Sequence, residues 1–265
     1  MNRLTLASTS EDAAAVEAVE AHHAHLAGEL AGRVTMLLDS ADRSPGTADD
    51  IRVGLVAFCD RELLPHASAE EAALYPTARR TDEARLLVDG MLAEHRRIHA
   101  LVEAMRTAPS AVHAAAEARA LQVLFEEHLW KENTLVLPLL ASARNVSLAE
   151  LLNGMHELLG APAHDEAVAE GADSEGGGCG GTCACGDADD EDIPVLDVRE
   201  VPHALRHATV FGALEAISSG GAMMLVAPHD PLPLLGQIED RNPGVFSVSY
   251  AERGPEAWRL QLTHR

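Results

Sequence analysis

The sequence predicts a multidomain chain. An all-α, up-down-up-down four-helix bundle with a short fifth helix occupies residues 1–164, and a small α/β two-layer sandwich of order βαβαββ occupies residues 193–265. Three observations predict this. The first region is rich in Ala and Leu, with apolar positions at helical spacing. Between Asp165 and Asp192 the composition changes abruptly to ten acids, seven Gly and three Cys with no Lys or Arg. Such a stretch cannot bury enough apolar surface to order itself and reads as a flexible linker. Beyond it, short apolar runs alternate with helical ones, the signature of a small α/β unit.

Composition narrows the function classes. Hydrophobic residues make up 47% and charged ones 23%, a globular balance. A formal net charge of −22, from 42 acids against 20 bases, repels phosphate backbones, and 3% aromatics leave little for base stacking. Nucleic-acid partners are therefore not expected. No apolar run approaches the ~18–20 residues that cross a bilayer, and the N-terminus has no apolar signal core. Four Cys, three of them within seven residues, do not make a disulfide framework. A cytoplasmic chain with no membrane partner is expected.

The elements follow in order. Ser10, Glu11 and Asp12 open a first helix that runs to about Leu38, before the breaker DSADRSPGT. Thr47 is positioned to cap a second, ending at Tyr75-Pro76. Thr81 caps a third, ending near Pro109, and Ser110 a fourth, running to about Ala143. Ser147 opens the short fifth helix, which stops at Gly160. Long helices with short connections make an up-down-up-down bundle. In the second region strands fit Pro194–Val198, Ala222–Ala227, Val245–Ala251 and Ala257–Thr263, with helices near residues 203–218 and 231–240. A right-handed crossover makes the first two strands parallel.

An internal repeat carries the functional reading. The second helix reads His66-x3-Glu70-x5-Pro76 and the fourth His128-x3-Glu132-x5-Pro138. The first helix places His23 among Val16, Val19, Leu26 and Leu30, and the third places His95 among Val88, Met91, Ile98 and Val102 at the same offsets. The stripes Cys59-Leu63-His66-Glu70-Ala73 and Leu121-Phe125-His128-Glu132-Leu135 otherwise face a core. Positions i and i+4 share a helix face, so each His-x3-Glu aims an imidazole and a carboxylate the same way. Two facing buried carboxylates are costly, and no basic residue lies on those stripes to neutralise them. A pair of cations between the hairpins would do so. The alternative is a pair of His–Glu contacts that hydrogen-bond each other and merely specify the bundle.

His23, His66-x3-Glu70, His95 and His128-x3-Glu132, with HASAEEAALYP and HLWKENTLVLPLL, resemble the hemerythrin-like (HHE cation-binding) family over about residues 10–160. The resemblance implies a non-haem centre of two Fe ions, oxo- or hydroxo-bridged, with two His on each and Glu70 and Glu132 bridging. Manganese or zinc also suit such donors. Each ion would keep an open position for a small molecule (O2, NO or peroxide). The implied function is binding or reducing that ligand, as a sensor or in stress defence, with or without turnover. The alternatives are iron donation for iron–sulfur cluster repair, and a sulfur-relay or interaction module run by the C-terminal region. A protein redox or iron–sulfur partner follows from these.

The remaining candidates sort by the repeat. His22 and His25 map onto Glu94 and Arg97 and are expected at the surface, as are His113 and His156, which have no counterpart. His99 resembles the extra third-helix histidine of oxygen-carrying hemerythrins and is a candidate seventh ligand. Those carriers use a His-x4-Asp in the fourth helix, where this chain has Asn133, its acid one residue earlier. Cys59 is a core thiol or a redox neighbour of the site. Cys179, Cys183 and Cys185 offer thiols for a soft metal, a reversible disulfide or persulfide sulfur, or are incidental to a tether. His203, His207 and His229 lie near two helix starts on one sheet edge, where together they would suit an anion or a metal; the other reading is three separate surface histidines. LDVREVPHALRHATVFGAL and LVAPHDPLPLL resemble an uncharacterised TusA-like domain with the fold of small sulfur carriers. Those carriers have a Cys-Pro where this chain has Pro202-His203.

Overall fold

A computed structural model describes residues 7–143, 145–159 and 193–265. The linker, with Cys179, Cys183 and Cys185, lies outside the described residues, as does the side chain of His156. Helix α1 (Ser10–Ser40) starts as expected, because the Thr9 hydroxyl accepts from the Asp12 N–H at 3.1 Å and satisfies a first-turn donor. The second helix starts before Thr47, which is therefore not its cap: α2 (Pro45–Phe58) opens on Pro45, whose missing N–H is one the first turn leaves unpaired anyway. It continues through a π-helical turn (Cys59–Leu63) into α3 (Leu64–Ala73) and the short α4 (Tyr75–Ala78). Thr81 precedes α5 (Asp82–Arg106). Ser110 caps α6 (Ala111–Lys131), its Oγ accepting from the His113 N–H. A second π turn (Glu132–Val136) leads into α7 (Leu137–Ser142), and Ser147 precedes α8 (Leu148–Leu159).

The π turns change one expectation. Leu135 was expected on the inner stripe and is 40% exposed, whereas Val136 is buried. A π turn holds one extra residue, so the inner face moves on by one position. Two apolar clusters result. One contains Leu26, Leu63, Ile98 and Phe125, and the other Val19, Ala69, Met91 and Val136. The six candidate ligands lie between them along all four helices, as a polar layer between two apolar ones.

The second region comprises β1 (Val195–Asp197), α9 (Arg206–Glu215), β2 (Ala222–Ala227), α10 (Leu232–Arg241), β3 (Phe246–Arg253) and β4 (Trp258–His264). The sheet order is β1-β2-β4-β3. β1 and β2 are parallel, with Val195 opposite Met224, and the other two pairings are antiparallel. The expected element order is present, with α9 starting three residues after His203.

This region is docked on the bundle rather than merely tethered to it. A Cβ on Gly32 of α1 would fall 2.1 Å from the Thr209 carbonyl oxygen of α9, and one on Gly212 would fall 2.3 Å from the Glu29 carbonyl oxygen. Only glycine permits this backbone approach. Buried Arg33 pairs with Glu29 at 3.1 Å and with Glu215 of α9, and its guanidinium stacks 4.5 Å from the Phe58 ring centroid. Asp39 accepts from the Val195 N–H at 2.8 Å, fixing the start of β1 against α1. The larger apolar cluster runs from Leu30 and Val34 into Phe211, Leu214, Leu225 and Leu260 without a break. Among the described residues, no helix is long and apolar enough to cross a membrane.

Candidate metal centre

His23, His66, Glu70, His95, His128 and Glu132 converge, and each is only about 1% exposed. Their donor atoms fall into two overlapping groups, His23–His66–Glu70–Glu132 and Glu70–His95–His128, each within ligand range of one ion. Glu70 belongs to both. Its Oε1 lies 2.9 Å from His66 Nε2 and 3.4 Å from His23 Nε2, and its Oε2 lies 3.6 Å from His95 Nε2. Glu132 Oε2 lies 3.7 Å from His23 Nε2, and Glu132 Oε1 3.8 Å from His128 Nε2. A helix places i and i+4 on one face, which is why each His–Glu pair arrives together.

The electrostatics describe a site short of positive charge. Burial raises the Glu132 carboxyl well above the usual range, and the Glu70 carboxylate opposite raises it further. Burial also opposes ionisation of Glu70, but His66, His23 and His95 outweigh it and hold that carboxyl well below the usual range. One carboxylate is thus ionised and its partner keeps a proton. His23 Nε2, His66 Nδ1 and Nε2, Glu70 Oε1 and Glu132 Oε2 have no hydrogen-bond partner although buried. Orphaned buried donors and acceptors are costly, and nitrogen and oxygen ligands converging without a thiolate fit divalent or trivalent cations. The residues fit such ions.

A second layer orients the imidazoles. Asn133 Oδ1 lies 2.7 Å from His23 Nδ1, Glu71 Oε1 2.8 Å from His95 Nδ1, and Glu94 Oε2 3.0 Å from His128 Nδ1. Each acceptor requires Nδ1 to carry the proton, which turns a bare Nε2 into the site. Glu94 is also paired with Lys131, and Lys131 and His128 hold its carboxyl low against the cost of partial burial. Burial holds His128 at about 4, so it is neutral. Burial also lowers His95, but the neighbouring Glu70 carboxylate and the hydrogen bond to Glu71 raise it more. The repeat contains a signal for these partners: Glu71 and Asn133 each follow a bridging-candidate Glu, and Glu94 immediately precedes His95.

By the same repeat His22 matches Glu94, and it is not the surface residue expected. Its ring packs edge-on at 5.0 Å from the His66 ring, and burial, then the neighbouring His66 and His23, lower its pKa to about 4. Tyr75 was not anticipated. Its hydroxyl, almost wholly buried, donates to Glu132 Oε1 at 2.6 Å and lies 3.4 and 3.3 Å from Nε2 of His95 and His128. Burial, followed by the Glu132 charge, raises its pKa, so the phenol stays protonated. Its repeat counterpart is Leu137, and a tyrosine in place of a leucine just before Pro76 was the available signal.

The other candidates separate from the centre. His99 is exposed and belongs to neither donor group, so the structure does not support a seventh ligand there. His25 is half exposed and lies 3.3 Å from Glu29, and exposed His113 hydrogen-bonds Ser110. Cys59 is buried, and burial, then Asp60, pushes its thiol up to about 12, which removes the thiolate a redox role needs. His203, His207 and His229 come together around one cavity but form no metal-holding group among the described residues.

No curated protein and no solved structure matches the chain. Residues 14–140 match the family model of the Hemerythrin HHE cation binding domain, a family that binds metal cations, and residues 195–264 match that of the Uncharacterized conserved protein (DUF2249). Residues 14–140 are therefore a hemerythrin-like HHE domain of a metal-binding family, followed at residues 195–264 by a region of an uncharacterised family.

Proposed function

We propose that this chain is a non-haem di-iron protein whose bundle binds or reduces O2, NO or H2O2, as a sensor or in defence against oxidative or nitrosative stress. The observation that supports it is the pair of donor groups sharing Glu70, with unpartnered buried nitrogens and oxygens aimed into them. His23, His66, Glu70 and Glu132 would hold one ion, and Glu70, His95 and His128 the other. Iron there would supply one-electron chemistry and an open coordination position. The apolar clusters on either side of the polar layer exclude bulk water. The Tyr75 phenol keeps a proton 2.6 Å from Glu132 Oε1 and stabilises that carboxylate without adding a charge.

Stopped-flow absorption of the ferrous protein mixed separately with O2, NO and H2O2 tests the reading. A ligand-specific spectral change within seconds supports it, as a stable adduct for a sensor or as repeated oxidation with a reductant for an enzyme. Spectra indifferent to all three, with iron passing to an apo iron–sulfur protein, would replace it with iron donation.

A further inference from the structure

We infer that the C-terminal region holds a separate binding site for a small organic anion: a carboxylate or phosphate head on a short apolar body. The site is a cavity of about 240 Å³ at the carboxyl ends of the parallel strands β1 and β2. There the chain turns from Val198 toward α9 and from Ala227 toward α10. Crevices at this edge of parallel strands are where such folds bind ligands, because the loops leading into both helices meet there.

The walls define the ligand. His203, Arg206 and His207 line it from the approach to α9 and its first turn, and His229 from the turn before α10. The buried side chains of Val198, Val210, Ala227 and Leu234 line the apolar part. Among the described residues no acid lines the cavity, in a chain where acids outnumber bases by 42 to 20. Cavities beside the bundle instead carry Glu29, Glu62 and Glu215, or Asp50. The acids closest in sequence are already engaged. Asp230 accepts from the Tyr250 hydroxyl at 2.9 Å, and Asp197 is paired with Arg199 at 2.6 Å. Glu200 is exposed and outside the wall.

Two further observations favour an anion over a metal ion. The three imidazoles do not bring their nitrogens within range of a common ion, unlike those of the bundle. Arg206 cannot ligate a cation, yet it is fixed at the wall by its Nε donating to the Val201 carbonyl at 2.8 Å. A fixed guanidinium flanked by imidazoles, beside the starts of two ten-residue helices, supplies several N–H donors to one oxyanion.

Carbethoxylation of histidines, read peptide by peptide in the full-length protein as purified, tests the site with inorganic phosphate and with butyrate as probes. The expected result is at least fivefold slower modification of His203, His207 and His229 with either probe, and unchanged rates at exposed His99 and His113. Arg206→Gln should abolish the protection. Because Arg206 also holds its loop, His229→Gln is the second variant, expected to weaken protection at His203 and His207 with an unchanged melting temperature. Equal slowing at His99 and His113, no slowing with either probe, or protection by zinc alone would each overturn the inference. Protection by phosphate but not butyrate would overturn the apolar half of the ligand.

Discussion

The Tyr75 hydroxyl donates to Glu132 Oε1 at 2.6 Å and thereby supplies a hydrogen bond to a buried carboxyl group that faces the carboxylate of Glu70. Tyr75→Phe removes that donor and leaves the acceptor unpaired. The metal-free protein is expected to lose about 1–3 kcal/mol of stability, the usual cost of leaving a buried polar group without its partner. The metal-loaded protein should lose less, because a bound cation then partners the Glu132 oxygens. Thermal melts of both forms check this, and equal losses in the two would show that Tyr75 acts by packing alone.

Glu70 belongs to both donor groups, whereas His95 and His128 belong to one. Glu70→Ala is therefore expected to drive metal content toward zero per chain. His95→Ala or His128→Ala should instead leave about one ion in the four-donor group. Metal analysis after loading and desalting decides between this and a single-ion site, for which every one of these variants would lose the same fraction.

Glu71 and Glu94 present carboxylates to His95 and His128, while His23 meets the neutral Asn133 and His66 meets a ring. The second group therefore holds the imidazoles whose Nδ1–H groups are paired with carboxylates. Glu71→Gln or Glu94→Gln should weaken the ion held by His95 and His128 by roughly 10–100-fold, the usual effect of losing such a partner. The other ion should be little changed. Competition with a chelator measures the two affinities.

Burial lowers both His22 and His128 to about 4, against an unfolded value near 6.5. In the metal-free protein both are neutral when folded and take up protons on unfolding once the pH is below that value. The stability these two groups contribute is thus complete above pH ~6.5 and is lost as pH falls toward ~4. His22→Gln should flatten this loss, since one of the two groups no longer titrates. Chemical denaturation midpoints from pH 7 to pH 4 check the slope, and an unchanged slope in the variant would place His22 in solvent.

Gly32 and Gly212 bring α1 and α9 into backbone contact. Gly212→Ala puts a methyl against the Glu29 carbonyl and should cost on the order of 1–3 kcal/mol, the usual range for overpacking. Gly90→Ala, with open space around the new methyl, should be neutral or stabilising by about 0.4–1 kcal/mol. A chain cut near Gly176 should keep its helices and its metal but melt below the full protein, because α1 then exposes the face carrying Gly28, Gly32 and Arg33. An unchanged melting temperature would make the two regions independent.

The repeated His-x3-Glu, with a matched histidine on each preceding helix, was enough to predict the bundle, its polar layer and the six converging side chains. That information is local, since the 3.6-residue period sets which side chains share a face before any helix meets another. The order of elements in the C-terminal region was legible for the same reason, as was the sheet edge near which His203, His207 and His229 lie. What crosses between elements was decided only in three dimensions. The reach of Tyr75 to Glu132, the burial of His22 against His66 and the displacement of Leu135 by a π turn depend on how close the packed helices come. The docking of α9 on α1 depends on two glycines whose missing side chains have no period to read. Spacing along one helix is set by backbone geometry, but distance between helices is set by the volume of everything packed between them.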